Sequence, residues 1–231
     1  MTKREKLEKV REKIRSACTR AGRKPEDVLL LAVGKTKPAS DIAEFFSLGQ
    51  KSFGENYVQE ALDKIEALKD KAIDWHFIGT LQSNKAKFIP GNFSLFHGLD
   101  TLRLAQKVDA AAAAKSMKQA TLIEVNLDGQ LSKGGVAHMD IAFMLDAMKN
   151  LKSLQIKGLM CIPDPHAQAR DPRRNFAKLR ELMERLNASG AYREKLSILS
   201  MGMTLDFEAA IQEGSHIVRI GTALFGERPP K

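Results

Sequence analysis

Cysteine is scarce in this sequence, and the spacings that would give it a structural role are missing. Only Cys18 and Cys161 occur among 231 residues, and neither belongs to a Cys-x-x-Cys pair or to a metal-ligand spacing. A disulfide framework and a zinc site are therefore not expected. We predict two ordinary thiols and no metal ligands, as in a cytoplasmic protein.

Long apolar runs are missing as well. No stretch approaches the ~18 uninterrupted apolar residues that a membrane helix needs. Residues 1–6 are mostly charged, where a secretory signal would need an apolar run. We therefore expect a cytoplasmic protein without a membrane partner.

The net charge of +9 favours anionic partners, such as nucleic acid, lipid headgroups or a phosphorylated small molecule. Much of the positive charge alternates with acidic residues in the N-terminal segment, which is typical of a solvated helical face. Zinc-finger spacing, a basic zipper and aromatic RNA-binding signatures are missing. We expect no specific nucleic-acid partner, although a polyanion on the basic surface is an alternative.

The hydrophobic pattern repeats a unit of one strand followed by one helix. Thr2 and Glu5 form a capping box before an amphipathic helix over 3–20. Ser40 is a candidate cap for the next helix, which ends near residue 48. Apolar segments predict strands at 28–33, 52–54, 75–79, 94–98, 121–126, 156–160, 196–200 and 216–220. Helical patterns follow them, and the three prolines within 163–172 predict a loop.

Eight strands separated by helical segments, with no hairpin turn between them, predict parallel pairing through crossover helices. Eight such units close a (β/α)8 barrel, and no change in composition marks a second domain. We therefore predict a single α/β domain over 1–231, a TIM barrel preceded by an N-terminal amphipathic helix. An open doubly wound sheet is the alternative, although no Gly-x-Gly-x-x-Gly follows the first strand.

The first predicted strand leads into a lysine. Residues 29–33 are apolar, Gly34 and Lys35 follow, and Pro38 prevents the strand from continuing as an interior one. A lysine at the carboxyl end of a barrel strand lies where such folds carry out chemistry, and in a partly dry site its amine can attack an aldehyde. A solvated lysine just past a core strand is the alternative.

Two glycine-containing loops follow the seventh and eighth predicted strands, where barrels often bind phosphate. They read Ser-Met-Gly-Met-Thr at 200–204 and Ile-Gly-Thr-Ala at 220–223. Glycine lets the backbone approach an anion, while hydroxyls and N–H groups at helix starts can donate to its oxygens. The alternative is that Gly202 and Gly221 only form tight turns.

Arg219 lies in an apolar strand, where a buried guanidinium needs a partner. That partner is either a structural carboxylate or an acceptor atom of a ligand. In a closed barrel the strand of Arg219 is the neighbour of the strand that ends near Lys35. An amine and a phosphate loop side by side describe a receptor for a phosphorylated aldehyde.

Several ordered motifs resemble one known family. They read Phe-Gly-Glu-Asn-Tyr-Val-Gln-Glu at 53–60, Trp-His-Phe-Ile-Gly at 75–79, Gly-Leu-Met at 158–160, Ser-Met-Gly-Met at 200–203 and Val-Arg-Ile-Gly at 218–221. From about residue 3 to residue 228 the chain resembles the pyridoxal phosphate homeostasis protein family. The resemblance implies a barrel akin to the N-terminal domain of alanine racemase, of fold type III among proteins that bind pyridoxal 5′-phosphate (PLP).

The resemblance also implies a site. Lys35, in a Lys-Thr-Lys-Pro motif, matches the lysine that forms a Schiff base with PLP, and Arg219 matches an arginine that faces the pyridine nitrogen. Phosphate-binding residues of the family match Ser200, Gly202, Gly221 and Thr222. We place Asn56 and Met203 in the same cofactor site and assign no catalytic residue.

Two positions depart from the pattern of many family members. Thr204 stands where serine is common, which keeps the hydroxyl. Gln130 stands where glutamate is common, so a charge that would pair with the retained Lys133 is gone. A role in cofactor transfer for the loop 127–137 is correspondingly weaker.

The predicted site favours cofactor storage, buffering or delivery over catalysis. Arg219 can only donate a hydrogen bond to a pyridine nitrogen, which leaves the nitrogen neutral and the ring a weaker electron sink. A racemase also needs a second base, which its relatives take from a further domain that we do not expect here. We predict a monomer with little or no turnover, whose partners are PLP and PLP-dependent apoenzymes. A racemase or lyase that uses Asn56, Tyr57 or His76 as its base is the alternative.

Overall fold

A computed structural model describes residues 1–127, 134–163, 171 and 173–227. Gln130, Lys133 and most of the predicted loop 163–172 lie outside these residues. None of the helices in the described part of the chain combines the length and the apolar character needed to cross a bilayer.

The described residues form a closed parallel barrel of eight strands. The barrel strands are β1 (Leu29–Val33), β2 (Ser52–Glu55), β3 (Asp74–Phe77), β4 (Leu95–Leu99), β5 (Gln119–Asn126), β7 (Leu154–Met160), β8 (Ile198–Ser200) and β9 (Ile217–Ile220). Each strand pairs in parallel with the next, and β9 pairs with β1 to close the ring. The predicted barrel is confirmed, and the open sheet is excluded because neither β1 nor β4 is left as an edge.

Helices follow most of the strands on the outside of the barrel. They are α1 (Lys3–Arg20), α2 (Ala39–Ser47), α3 (Val58–Ala67), α4 (Leu102–Ala114), α5 (Ile141–Ala147), α6 (Arg174–Ala188), α7 (Phe207–Gln212) and α8 (Thr222–Phe225), with 3-10 turns at Pro25–Asp27 and Ser83–Phe88. Two local predictions were wrong. Pro38, not Ser40, caps α2, because its fixed backbone geometry suits an extended residue before a helix. A two-residue strand, β6 (Val136–Ala137), pairs with β5 inside the predicted loop and is too short to give a sequence pattern.

Helix α1 fills the place beside the short α8. The predicted capping box is present, since Thr2 and Glu5 bond each other's backbone N–H groups. Its apolar stripe is buried, and the helix packs against α7 and α8. Because α8 has a single turn, α1 supplies the apolar cover that a full last helix would give.

The substitution Ile14→Ala is expected to cost about 2–5 kcal/mol of unfolding free energy, the usual cost of truncating a large aliphatic core residue. Ile14 lies on the buried stripe of α1 and is 5% exposed. The exposed neighbour Arg15 provides the control, because Arg15→Ala leaves that stripe intact. Chemical denaturation of both variants measures the difference, and equal stabilities would show that α1 does not contribute to the core.

Two apolar cores lie on the two sides of the sheet. The larger one lies between the strands and the surrounding helices. The smaller one fills the barrel interior with Leu31, Val33, Ile78, Leu95, Leu122, Met160 and Ile217. Alternate residues of a strand point to opposite faces. Polar residues that lie an even number of positions from these interior residues on the same strand therefore also point into the barrel.

Candidate functional site

Lys35 lies in a tight turn directly after β1. The amide of Lys37 donates to the carbonyl oxygen of Gly34 at 3.0 Å, so Lys35 and Thr36 are the central residues of the turn. Thr36 has a φ of +64°. That conformation is unfavourable for a β-branched residue and persists only where surrounding contacts fix it.

A buried ion cluster fixes the turn from both sides of Lys35. The Nζ of Lys64 donates to the carbonyl oxygen of Gly34 at 2.8 Å and to the carboxylates of Glu55 and Glu60, both at 2.7 Å. The same oxygen of Glu60 accepts the amide N–H of Thr36 at 2.6 Å. The peptide groups before and after Lys35 are therefore both anchored to this Lys64 cluster, formed by Lys64, Glu55 and Glu60.

Glu55 is the most deeply buried member of the Lys64 cluster. Burial raises the pKa of Glu55 to about 7, while the hydrogen bond and charge of Lys64 act to lower it. The charge of Lys35 also lowers this pKa, which shows that the carboxyl group acts on the lysine turn electrostatically. The cluster thus combines backbone anchoring of the turn with an electrostatic coupling between Glu55 and Lys35.

Asn56 follows β2, the neighbour of β1, and supplies a buried acceptor. Among the described residues, its Oδ1 has no hydrogen-bond partner. Its backbone carbonyl packs against Gly79, where any Cβ would collide with it. Leaving a buried acceptor unpaired costs about 1–3 kcal/mol, so the Asn56 amide is suited to accept a hydrogen bond from a ligand.

The two glycines of the predicted phosphate loops differ in whether the fold requires glycine at their positions. Gly202 has a φ of +93°, and a Cβ there would lie 2.6 Å from the Cβ of Ala210 in α7. The turn and its packing thus require glycine at 202, as the tight-turn alternative holds. At Gly221 the backbone is not left-handed, and a Cβ would make ordinary contacts of 3.6 Å with Val33. The described fold does not require glycine at 221, because an alanine Cβ would fit there in ordinary contact with Val33.

Arg219 lies in the barrel interior with its guanidinium held by neutral acceptors. One terminal nitrogen donates to both the carbonyl oxygen and the Oγ of Ser200, each at 2.7 Å, and the other donates to the carbonyl of Cys161 at 2.8 Å. Burial lowers the pKa of Arg219, and Cys161 and Glu124 partly offset this. Within the described residues no carboxylate forms an ion pair with Arg219, so the structural carboxylate considered as its partner is not seen there.

Sequence reasoning missed two polar residues of the barrel interior, Glu124 and His97, and gave a third, His76, a different role. Glu124 on β5 has its pKa raised by burial and by Asp100, against the charge of Arg219. His97 lies fully inside the barrel, and its Nδ1 is 3.0 Å from Ser200 Oγ. His76 was considered only as a catalytic base. The sequence signal for these residues was a polar side chain within an apolar strand, an even number of positions away from a residue of the interior core.

The predicted site residues lie on four consecutive strands at one end of the barrel. In the order β8, β9, β1 and β2, these strands or the segments after them carry Ser200, Gly202, Met203, Arg219, Gly221, Thr222, Lys35 and Asn56. The Ser200 hydroxyl is bonded to Arg219 and His97, so it is turned toward the interior. The cofactor contacts of these residues remain predictions.

A closed parallel barrel with a lysine turn after its first strand and glycine loops after its last two defines a class of protein. Residues 6–229 match the family model described as alanine racemase, N-terminal domain. The solved alanine racemase of Clostridium difficile 630 shares the fold at a TM-score of 0.71 and 15% identity, over 99% of this chain and 57% of that chain.

Relatives of higher sequence identity narrow this class of protein to one family. The pyridoxal phosphate homeostasis proteins of Aquifex aeolicus and Pseudomonas aeruginosa are 46% and 45% identical to this chain, each over 97% of it and over 97% and 95% of their own lengths. The structure of PipY of Synechococcus elongatus PCC7942 with PLP bound has a TM-score of 0.85 and 34% identity, over 97% of this chain and 100% of that chain. The chain belongs to the pyridoxal phosphate homeostasis protein family, as the sequence motifs predicted.

Proposed function

We propose that this protein binds PLP reversibly through Lys35 and thereby stores, buffers or delivers the cofactor inside the cell. The observation that carries the proposal is the lysine turn, in which the Lys64 cluster anchors both peptide groups that flank Lys35. The names of the relatives and the PLP-bound structure of PipY support the choice of cofactor.

The residues present fit PLP. Among the described residues, two buried side-chain oxygens lack a hydrogen-bond partner, Oδ1 of Asn56 and Oε2 of Glu55, and both lie at the end of β2, the neighbour of β1. PLP supplies an aldehyde and a ring that accepts electrons. The Nζ of Lys35 forms a C=N bond with the aldehyde carbon as water is released, and hydrolysis reverses the step.

The other residues hold the cofactor without taking part in that bond. Backbone N–H groups of Gly202 and Gly221, with the Thr222 hydroxyl, are the proposed donors to the phosphate. The N–H of Met203 donates to Oδ1 of Asp206 at 2.6 Å, so we propose that Met203 lines the site without donating to the phosphate. Arg219 donates to the pyridine nitrogen, and Ser200 enters as the partner that orients Arg219 because its hydroxyl is already bonded inside the barrel.

A racemase or lyase is the less favoured function. Both ring nitrogens of His76 are hydrogen-bonded inside the barrel, to Asp74 and to His97. The amide of Asn56 is not a base, and Tyr57 is 54% exposed at the mouth. We accordingly propose a carrier with little or no turnover, a monomeric single domain over 1–231 that acts in the cytoplasm and supplies PLP-dependent apoenzymes.

The proposal is tested by adding PLP, recording the visible absorbance, reducing with borohydride and mapping the modified peptide. We expect one PLP per chain on Lys35 and none after Lys35→Ala. Lys37→Ala is the matched control, because this nearby lysine lies in the same turn but its Nζ bonds the carbonyl of Glu227. Stoichiometric modification of the Lys35→Ala protein would refute the proposed tether.

Two further readouts separate the alternatives. Racemisation or elimination of an amino acid faster than with free PLP would refute the carrier function. If polyanion binding to the basic surface were the main activity, its affinity would fall steeply with salt, whereas covalent PLP binding would persist.

A further inference from the structure

A continuous line of hydrogen bonds runs through the otherwise apolar interior of the barrel. His76 Nε2 lies 3.0 Å from Asp74 Oδ2, and His76 Nδ1 lies 3.0 Å from His97 Nε2. His97 Nδ1 lies 3.0 Å from Ser200 Oγ, which accepts from Arg219 at 2.7 Å. These five residues, named here the interior chain, come from β3, β4, β8 and β9.

The interior chain connects the two ends of the barrel. Asp74 is the first residue of β3, and its side chain is 38% exposed, so solvent reaches this end. Ser52 and Ser94, at the amino ends of β2 and β4, also donate to the Asp74 carboxylate. Arg219 lies at the other end, beside the lysine turn. The chain thus crosses the interior core.

One arrangement of protons satisfies every member when Asp74 is ionised and each histidine carries a single ring proton. Asp74 then accepts from His76 Nε2, which leaves His76 Nδ1 to accept from His97 Nε2. His97 Nδ1 must in turn accept the Ser200 hydroxyl proton, and Ser200 Oγ accepts from Arg219. Every hydrogen bond therefore points the same way, from the guanidinium to the carboxylate. In this arrangement each histidine carries one ring proton, and the hydrogen bonds fix which nitrogen carries it.

The pKa shifts agree with this assignment. Burial would raise the pKa of Asp74, but the hydrogen bonds from His76 and the two serine hydroxyls outweigh it and hold the pKa well below its usual value. Burial, together with the charge of Arg219, lowers the pKa of His97 well below its usual range. Asp74 is thus ionised and His97 neutral at neutral pH.

We propose that the interior chain is a relay that orients Arg219 at the cofactor site, with Asp74 acting as the remote counter-ion through His76, His97 and Ser200. The proposal rests on the proposed binding of PLP. Aligned hydrogen bonds polarise one another in an apolar surrounding, and a break leaves a buried group unpaired. His97 and His76 are positioning residues, because they reach the cofactor only through Ser200 and Arg219.

The relay predicts an effect that depends on the ring nitrogen of the ligand. His97→Phe removes the acceptor of the Ser200 hydroxyl, so the Ser200 oxygen is held less firmly against Arg219. Arg219 then keeps only its two backbone carbonyl partners as fixed acceptors and donates less well to a pyridine nitrogen. We expect PLP affinity to fall roughly tenfold, the loss of about one hydrogen bond to a charged group. Affinity for 1-deaza-PLP, in which carbon replaces the ring nitrogen, should change less than about twofold, since that ligand offers Arg219 no acceptor.

Binding is measured by titration of each ligand, together with the position of the visible band of the Lys35-bound chromophore. The band of bound PLP should shift in His97→Phe, and that of the deaza analogue should not. His97→Gln, which keeps one donor and one acceptor, should restore part of the PLP affinity. Leu95→Val is the packing control, because Leu95 lies two residues away on β4 and belongs to the apolar interior core.

The outcomes separate the two proposals. If the wild-type protein binds neither ligand, the proposed function fails. If it binds both and His97→Phe weakens both equally, or neither, the relay is refuted while PLP binding stands. Should His97→Phe not fold, Asp74→Asn at the half-exposed end decides: a loss of affinity confined to PLP supports the relay, and equal behaviour of the two ligands refutes it.

Discussion

The substitution Lys64→Met is expected to lower the unfolding free energy by about 3–5 kcal/mol, as removal of one partner from a buried ion pair usually does. Lys64 is 5% exposed, and Glu55 is fully buried. Without the ammonium group, the Glu55 carboxylate loses its cation and the Gly34 carbonyl loses a donor. Denaturant unfolding measures the loss, and PLP titration should show weaker covalent binding because the lysine turn is no longer anchored.

The stability deficit of Lys64→Met should depend on pH. Burial raises the pKa of Glu55 to about 7 with Lys64 present, and Lys64 acts to lower it, so its removal should raise this pKa further. A carboxyl whose pKa is raised by folding stabilises the fold below its unfolded-state pKa of about 4.3 and loses that contribution as pH rises through the folded-state value. The deficit should therefore be smaller near about pH 5 than near about pH 9.

Two control variants isolate the ion pair. Glu55→Gln combined with Lys64→Met removes both charges and should recover a large part of the lost stability. Lys69→Met removes an exposed lysine that follows α3 and should have no measurable effect. A Lys64→Met protein as stable as Lys69→Met would contradict the role of the Lys64 cluster.

The substitution Gly158→Ala is expected to destabilise the barrel by at least about 3 kcal/mol, because the clash is with backbone rather than with a movable side chain. A Cβ at Gly158 would collide with the carbonyl oxygen of Ile198 and lie 2.7 Å from its carbonyl carbon. Gly158 pairs with Ile198 between β7 and β8. Strand β8 would have to move away, and it carries Ser200 and the loop at Gly202.

Gly134→Ala is the matched control for this prediction. The nearest atom to a Cβ at Gly134 is an oxygen of Glu124 at 3.7 Å, an ordinary contact, so the change should stay within about 0.5 kcal/mol. Thermal or denaturant unfolding compares the two alanine variants. If their midpoints coincide, the close packing of β7 on β8 is not a determinant of stability.

The barrel was predictable because its strands repeat a simple pattern. Each buried strand is a short apolar run, and each following helix repeats its apolar residues every three or four positions, so the count of eight could be read directly. The helix predicted over 3–20 has the bounds of α1, Lys3–Arg20. The strand β6 was not predictable, because two residues show no periodicity.

The Lys64 cluster and the interior chain depend on pairings that sequence spacing does not contain. Lys64 belongs to α3, Glu55 to β2, and the carbonyl that Lys64 bonds belongs to Gly34 after β1. Only the closed barrel brings these groups together. The partner of Arg219 was missed for the same reason, since Ser200 and Cys161 follow from the order of β7, β8 and β9 and not from the local sequence.

The N-terminal and C-terminal segments of the fold contact each other, and this affects how the chain folds during synthesis. Strand β1 pairs with β9 to close the barrel, and α1 packs mainly against α7 and α8. A nascent chain therefore carries the apolar stripe of α1 without these two helices until residues 207–225 have left the ribosome. The last contacts to form join residues at the greatest sequence separation, which makes barrel closure the slow, aggregation-exposed step of folding.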